Sequence, residues 1–214
     1  MAETDGDKRG AGLPLDAGGG AAVPPHEHLR ETPVASEGVF DGRFLRVWRD
    51  TVRLPDGALA HREYIKHSGA VMVVPLLDNG RVLMERQWRT PMRRVMTEFP
   101  AGKLDPGEGW LACAERELRE ETGYSAREWA YIGGINNAIS YSDEIIHLAF
   151  ARGLSPGPRQ LDQHEFLEVF EAEPRELLEW VRTGAITDVK TVIGVFWLEK
   201  LLAGNWALPW QSDR

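Results

Sequence analysis

Three glutamates stand close together at Glu117, Glu120 and Glu121, within the stretch GKLDPGEGWLACAERELREETGY that runs from Gly102 to Tyr124. Residues Leu111 to Thr122 hold neither Pro nor Gly and are rich in Ala, Leu, Glu and Arg, so they are predicted to form a helix that Gly123 ends. On a helix the intervals i, i+3 and i+4 put the three carboxylates on one face. Like charges there cost roughly 0.2–0.5 kcal/mol per pair even when solvated, and folding gains nothing from them. A divalent cation removes the repulsion. Carboxylate oxygens without Cys or His suit a hard ion such as Mg²⁺ or Mn²⁺, which typically bridges carboxylates to substrate phosphates. Arg116 can pair with one carboxylate and fix its rotamer. Three glutamates alone would read as a solvated acidic face. Their fixed spacing to Gly102, Glu108 and Gly123 separates them from that plainer case.

Composition bounds the rest. The chain has 214 residues, 43% hydrophobic and 27% charged, enough for one generous domain or a domain with a small companion. No apolar run approaches the ~20 residues of a membrane span. A net charge of −8 argues against a nucleic-acid or anionic-membrane binder, so a phosphate-bearing substrate would need local Arg and a metal. The single cysteine, Cys113, excludes an intrachain disulfide and fits a reducing cytoplasm. One turn before Glu117 and without a partner thiol, it reads as a small buried filler.

The elements that must hold these residues follow from pattern. Residues 1–36 are rich in Gly, Ala, Pro and acidic side chains and are read as a disordered tail. Residues 37–66 show β-rich alternation from Phe44 to Leu54, the turn Pro55-Asp56-Gly57, and a second run from Ala60 to Lys66, which predicts a small antiparallel region. Residues 67–205 form the main domain. It opens on a continuous apolar run at 69–77, as in a buried strand, and a partner strand returns over 81–86. Further strands are predicted at 129–136, 145–151 and 165–171. One helix follows Glu173-Pro174 and ends at Gly184, and another runs from about Asp188 to Leu202. Residues 206–214 are read as a C-terminal tail. Strands first, with helices between and after, give an α+β fold, an α/β/α sandwich around a mixed sheet.

The stretch also fits a longer pattern without mismatch: Gly102, five residues, Glu108, seven residues, then Arg116-Glu117-Leu118-Arg119-Glu120-Glu121-Thr122-Gly123-Tyr124. This resembles the signature of the Nudix hydrolases, which cleave nucleoside diphosphates linked to another group. Within that family the chain is similar to ADP-ribose pyrophosphatases over roughly residues 38–203. The segments that carry the likeness are His61-Arg62-Glu63, Glu85-Arg86-Gln87-Trp88-Arg89, Glu98-Phe99-Pro100-Ala101-Gly102, Tyr141-Ser142-Asp143-Glu144 and His164 to Val169.

The resemblance implies roles. The Ala101 carbonyl and the carboxylates of Glu117, Glu120, Glu121 and Glu165 would hold Mg²⁺, with Mn²⁺ able to substitute. Glu120 and Glu165 would be catalytic, Glu165 positioning or deprotonating the attacking water. Gln163 stands where some relatives carry Glu, which leaves Asp162 as the alternative base of that loop, and His164 reads as an exposed loop histidine. Glu108 would serve as a helix-start anion or an outer metal ligand. Arg62 and Glu63 would contact adenine, against a structural reading as an exposed cross-strand ion pair. Phe44 would stack on the base, or else be a strand-core aromatic. Arg89 would grip a phosphate, and Glu144 would also touch substrate. The reaction implied is ADP-ribose to AMP and ribose 5-phosphate in a cytoplasmic homodimer that exchanges its N-terminal strands. Two other readings stand beside it: a diphosphatase for another nucleotide sugar such as GDP-mannose, and a non-catalytic ligand sensor. One departure concerns the stretch Asn136 to Tyr141, which lacks the Pro that many ADP-ribose members carry there.

Overall fold

The computed structural model describes residues 26–161, 163 and 165–212. Strands β1 (Thr32–Asp41), β2 (Arg46–Arg53) and β3 (Leu59–Lys66) form an antiparallel sheet in that order. β1 starts inside the segment read as a tail of 1–36. Composition weighs side-chain burial, whereas β1 is exposed along all ten residues and is ordered by its backbone ladder to β2. Residues 1–25 of that expected tail lie outside the described residues. The sheet is tied to the main domain at one end: the Ile65 amide donates to the Tyr141 carbonyl at 2.9 Å and the His67 amide to the Asp143 carboxylate at 2.8 Å.

The main domain contains β4 (Ala70–Pro75), β5 (Val82–Arg89), β6 (Arg94–Glu98), β7 (Ala101–Lys103), helix α1 (Trp110–Glu117), β8 (Tyr124–Ser125), β9 (Glu128–Ile135), β10 (Ile146–Arg152), β11 (Ser155–Pro156), β12 (Leu167–Ala172), α2 (Pro174–Arg182), α3 (Val189–Leu202) and β13 (Gln211–Ser212). A five-stranded mixed sheet has the order β13-β9-β10-β4-β7, with β10 and β4 parallel. A three-stranded antiparallel sheet has the order β12-β5-β6, and β8 pairs with β11.

The alternation of β4 explains the layering. Val71 and Val73 pack with Cys113, Ala114 and Leu118 of the glutamate helix, while Met72 and Val74 pack with Phe99, Val195 and Leu198 on the side of α3. β10 repeats the pattern, with Ala149 and Ala151 toward α1 and Leu148 and Phe150 toward α3. The result is the expected α/β/α sandwich. Leu118 is fully buried, and truncating it to Ala would cost about 2–5 kcal/mol while loosening the turn that carries Glu120 and Glu121.

Helix ends follow residue chemistry. Glu173 and Glu176 form a capping box around Pro174, and the Asp188 carboxylate accepts the Thr191 amide at 3.1 Å. The segment expected as a C-terminal tail is docked. Trp206 lies against Trp197 with ring centroids 4.3 Å apart, the Arg152 guanidinium lies 4.1 Å from the Trp210 ring, and β13 pairs with β9. Its tryptophans supply the apolar area that ordinary tails lack.

Candidate active site

The glutamate helix is not regular to its end. α1 keeps α geometry to Glu117 and then widens into a π turn over Leu118–Thr122, which Gly123 closes at φ +79°. Such turns concentrate at functional sites. The widened turn buries Leu118, Glu121 and Thr122 while Glu120 stays half-buried. The helix was legible in the sequence; the π turn, which has no residue signature, was not. Backbone contacts fasten the turn to the loop before β12: the Gly157 amide donates to the Gly123 carbonyl at 2.6 Å and the Gln160 amide to the Glu120 carbonyl at 3.2 Å.

Arg116 organises the face. Its Nε and Nη2 grip both oxygens of Glu108 at 3.0 and 2.9 Å, and Nη1 reaches Glu117 at 2.7 Å and Glu120 at 3.2 Å. Three carboxylates are thus held, not the one expected. Glu108 also accepts the Asp105 amide at 2.9 Å, and the Arg116 guanidinium holds its carboxyl down at about 2. Glu108 therefore anchors Arg116 and the preceding turn, directly before Gly109 at the start of α1. Gly102 faces Glu117 so closely that an added Cβ would overlap the carboxylate, which explains the glycine. Cys113 is buried, and burial pushes its thiol up to about 12, as suits a filler.

A cleft of about 580 Å³ opens beside this face. Of the ten side chains and carbonyls singled out by sequence, eight line it: Phe44, Arg89, Ala101, Glu117, Glu120, Glu121, Glu144 and Glu165. Glu165 accepts a hydrogen bond from Gln87 Nε2 at 3.1 Å, and Glu144 sits 3.5 Å from His67 Nδ1. Phe44 is 64% exposed and precedes β2, so it is not a strand-core aromatic. Gln163 also lines the cleft; Asp162 and His164 lie outside the described residues.

Two expected contacts stand elsewhere. Arg62 and Glu63 are on β3, outside the cleft of their own chain. Arg62 Nε donates to Glu31 at 3.0 Å, and Glu63 accepts from Arg49 across the β2–β3 ladder at 2.7 Å, which is the exposed ion-pair arrangement. Arg89 reaches the cleft already engaged: its Nε and Nη2 clamp Glu98 at 2.7 and 2.9 Å. Glu98 also binds Lys190, whose ammonium lies 2.9 Å from Asp188. Lys190 was not anticipated; its signal is a lone charge in the apolar first turn of α3.

Sequence reasoning also passed over Glu85. It lies on the same face of β5 as Gln87 and Arg89, directly across from Glu98 on β6. It is wholly buried and neither carboxylate oxygen has a hydrogen-bond partner among the described residues. Burial, with Glu98 nearby, pushes it up to about 8. Glu121 rises to about 10, through burial first and then the charges of Glu85, Glu117 and Glu165. Burial raises Glu117 as well. The signal for Glu85 was a carboxylate continuing the apolar run Val82-Leu83-Met84.

Among the described residues, no three acidic, histidine or cysteine groups already converge on one metal position. The donor set still fits a hard divalent cation. Glu121 is buried beside the charges of Glu85, Glu117 and Glu165, and among the described residues the Glu85 oxygens have no hydrogen-bond partner. Coordination would draw Glu117 and Glu120 away from Arg116.

Comparison with known proteins agrees with this geometry. Residues 66–192 match the NUDIX domain. The chain belongs to the NUDIX family. Residues 31–65, covering β1 to β3, match the nucleoside diphosphate sugar hydrolase N-terminal domain. The chain is 38% identical to the ADP-ribose pyrophosphatase of Bacillus subtilis over 80% of its own length and 94% of that protein. It is 37% identical to the methanol dehydrogenase activator of Bacillus methanolicus, with the same coverage. It is 39% identical to the ADP-ribose pyrophosphatase of Mycobacterium tuberculosis over 65% of this chain and 67% of that one. A crystal structure of an ADP compounds hydrolase shares the fold, with a TM-score of 0.74 at 23% identity over 82% of this chain and 96% of the other. This Nudix chain is a hydrolase of that family, and none of its described helices is long and apolar enough to cross a membrane.

Proposed function

We propose that the protein hydrolyses the diphosphate bond of ADP-ribose, giving AMP and ribose 5-phosphate, with Mg²⁺ as the working ion. The observation that carries this reading is one cleft lined by Phe44, the Glu117–Glu120–Glu121 face and Glu165. The names of the relatives in Bacillus subtilis and Mycobacterium tuberculosis support the choice of substrate.

The Ala101 carbonyl, Glu117, Glu120, Glu121 and Glu165 would hold the cation. When bound, it supplies charge neutralisation and Lewis acidity at the diphosphate. Gln87 fixes the Glu165 carboxylate, which orients a water and takes its proton. The water oxygen bonds to one phosphorus as the bridging P–O bond breaks, and the electron pair leaves on the departing phosphate. Phe44 at the mouth offers a face for the base, so binding energy remote from the reacting phosphorus aligns it.

In this reading the chain works as a cytoplasmic homodimer. The N-terminal sheet leaves β1, Val34 and Phe40 exposed, and its Arg62 and Glu63 lie away from their own cleft. Exchange of the sheet would bring these two side chains to the partner's nucleoside. Incubation with ADP-ribose and Mg²⁺ tests the reaction. Equimolar AMP and ribose 5-phosphate, abolished by EDTA, is the expected result; adenosine or ADP as product would refute it.

A further inference from the structure

Resting on the cleft as a diphosphate site, we infer that Lys103 is a substrate-binding residue, the side chain that takes a phosphate oxygen of the diphosphate. The cleft is lined by five glutamates and Asp188, and its positive side chains besides His67 are Arg89, Lys103 and Lys190. Arg89 is clamped by Glu98, and Lys190 is shared between Glu98 and Asp188. Among the described residues Lys103 alone of these cations has no carboxylate partner. Its ammonium instead lies 4.0 Å from the centroid of the Phe44 ring, a contact weaker than a charge-assisted bond to an anion. The cation expected from sequence, Arg89, would have to leave a bidentate partner to do the same work.

Position agrees with charge. Lys103 ends β7, on the same face of that strand as Ala101, whose amide holds Glu121 at 3.0 Å. The Lys103 carbonyl accepts Arg116 Nη2 at 3.0 Å, so its backbone is pinned to the glutamate helix while the ammonium is left to move. It therefore stands between the glutamate face and Phe44. A diphosphate that joins a base at Phe44 to a reacting phosphorus at the glutamates passes this ammonium. On binding, Lys103 exchanges the Phe44 ring for a phosphate oxygen and clears the ring for the base.

The test is calorimetric titration of inorganic pyrophosphate, with Mg²⁺ present, into full-length wild type, Lys103→Met and Lys103→Arg. Met keeps the length and apolar stem, and thermal melts of both variants establish folding. Lys103→Met is expected to bind about tenfold more weakly, the lower end for a charge-assisted bond at an open site, and Lys103→Arg to restore most of the loss. Equal affinity in wild type and Lys103→Met overturns the inference, as does wild type that binds no pyrophosphate. The probe carries no nucleoside, so failure of wild type to turn over ADP-ribose would refute the substrate reading while this comparison still decides Lys103.

Discussion

The Ala101 amide donates to Glu121 Oε2 at 3.0 Å, joining the first residue of β7 to the π turn at the end of the glutamate helix. These two residues lie twenty positions apart, yet both contribute to one wall of the cleft. The bond fixes the carboxylate where its charge is least tolerated, against Glu85, Glu117 and Glu165.

Glu120→Gln and Glu121→Gln each remove one carboxylate from the face without changing its shape. Turnover is expected to fall roughly 100-fold or more, as for loss of a principal electrostatic group, with the melting temperature of the metal-free protein unchanged or raised. Wild-type-like kcat in both variants would remove the glutamate face from the mechanism.

Glu165→Gln should lower kcat by about 10²–10⁴-fold, the range for loss of a general base, with little change in KM. Gln87→Ala removes the hydrogen bond that orients Glu165, so a smaller fall in kcat at constant KM is expected. Steady-state kinetics on both variants checks the order; a KM effect larger than the kcat effect would assign Glu165 to binding instead.

Stability should depend on pH in a direction set by burial. Glu85 and Glu121 have folded-state values raised to about 8 and about 10. The native state therefore keeps protons that the unfolded chain releases near its ordinary carboxylate value. The stability tied to those protons is fully present below about pH 4 and is lost as pH rises through 8 toward 10. In EDTA the melting temperature should fall between pH 6 and pH 9. Mg²⁺ should restore more of it at pH 9, because the ion replaces the protons. A rise in stability from pH 6 to pH 9 in EDTA would contradict the crowding.

Glu85→Gln isolates the buried orphan. At pH 9 in EDTA the variant should be more stable than wild type by about 1–4 kcal/mol, and at pH 4, where the carboxyl keeps its proton in both states, nearly equal. Denaturant titrations at the two pH values measure the difference. Equal stability at pH 9 would mean that a partner or water satisfies the carboxylate.

Strand exchange is open to complementation. If Arg62 serves the partner's cleft, inactive Arg62→Ala and Glu165→Gln chains mixed and allowed to exchange will form dimers with one intact site. Half the dimers would then be mixed, giving about a quarter of wild-type activity. No recovery would place Arg62 in its own chain's chemistry or outside it.

How much of this was legible beforehand depended on the kind of signal. The glutamate face and the sandwich were readable because identity, spacing and apolar runs report them directly, as at Glu117, Glu121 and the β4 run. Other features were not. The π turn is a backbone choice that Leu118 to Thr122 do not announce. The engagement of Arg89 by Glu98 is a cross-strand relation visible only once register is fixed. Glu85 resembled an ordinary strand residue until it was seen buried with neither oxygen hydrogen-bonded among the described residues. β1 was missed for a related reason, since its order comes from main-chain pairing and not from apolar content.

The most direct test of the central claim is the specificity constant of wild type, with Mg²⁺, for ADP-ribose against GDP-mannose and other nucleotide sugars. The expected kcat/KM for ADP-ribose exceeds that for GDP-mannose by at least about tenfold, roughly 1.4 kcal/mol of discrimination between the two nucleotide sugars. Preference for GDP-mannose, or no turnover of any nucleotide sugar, would contradict it.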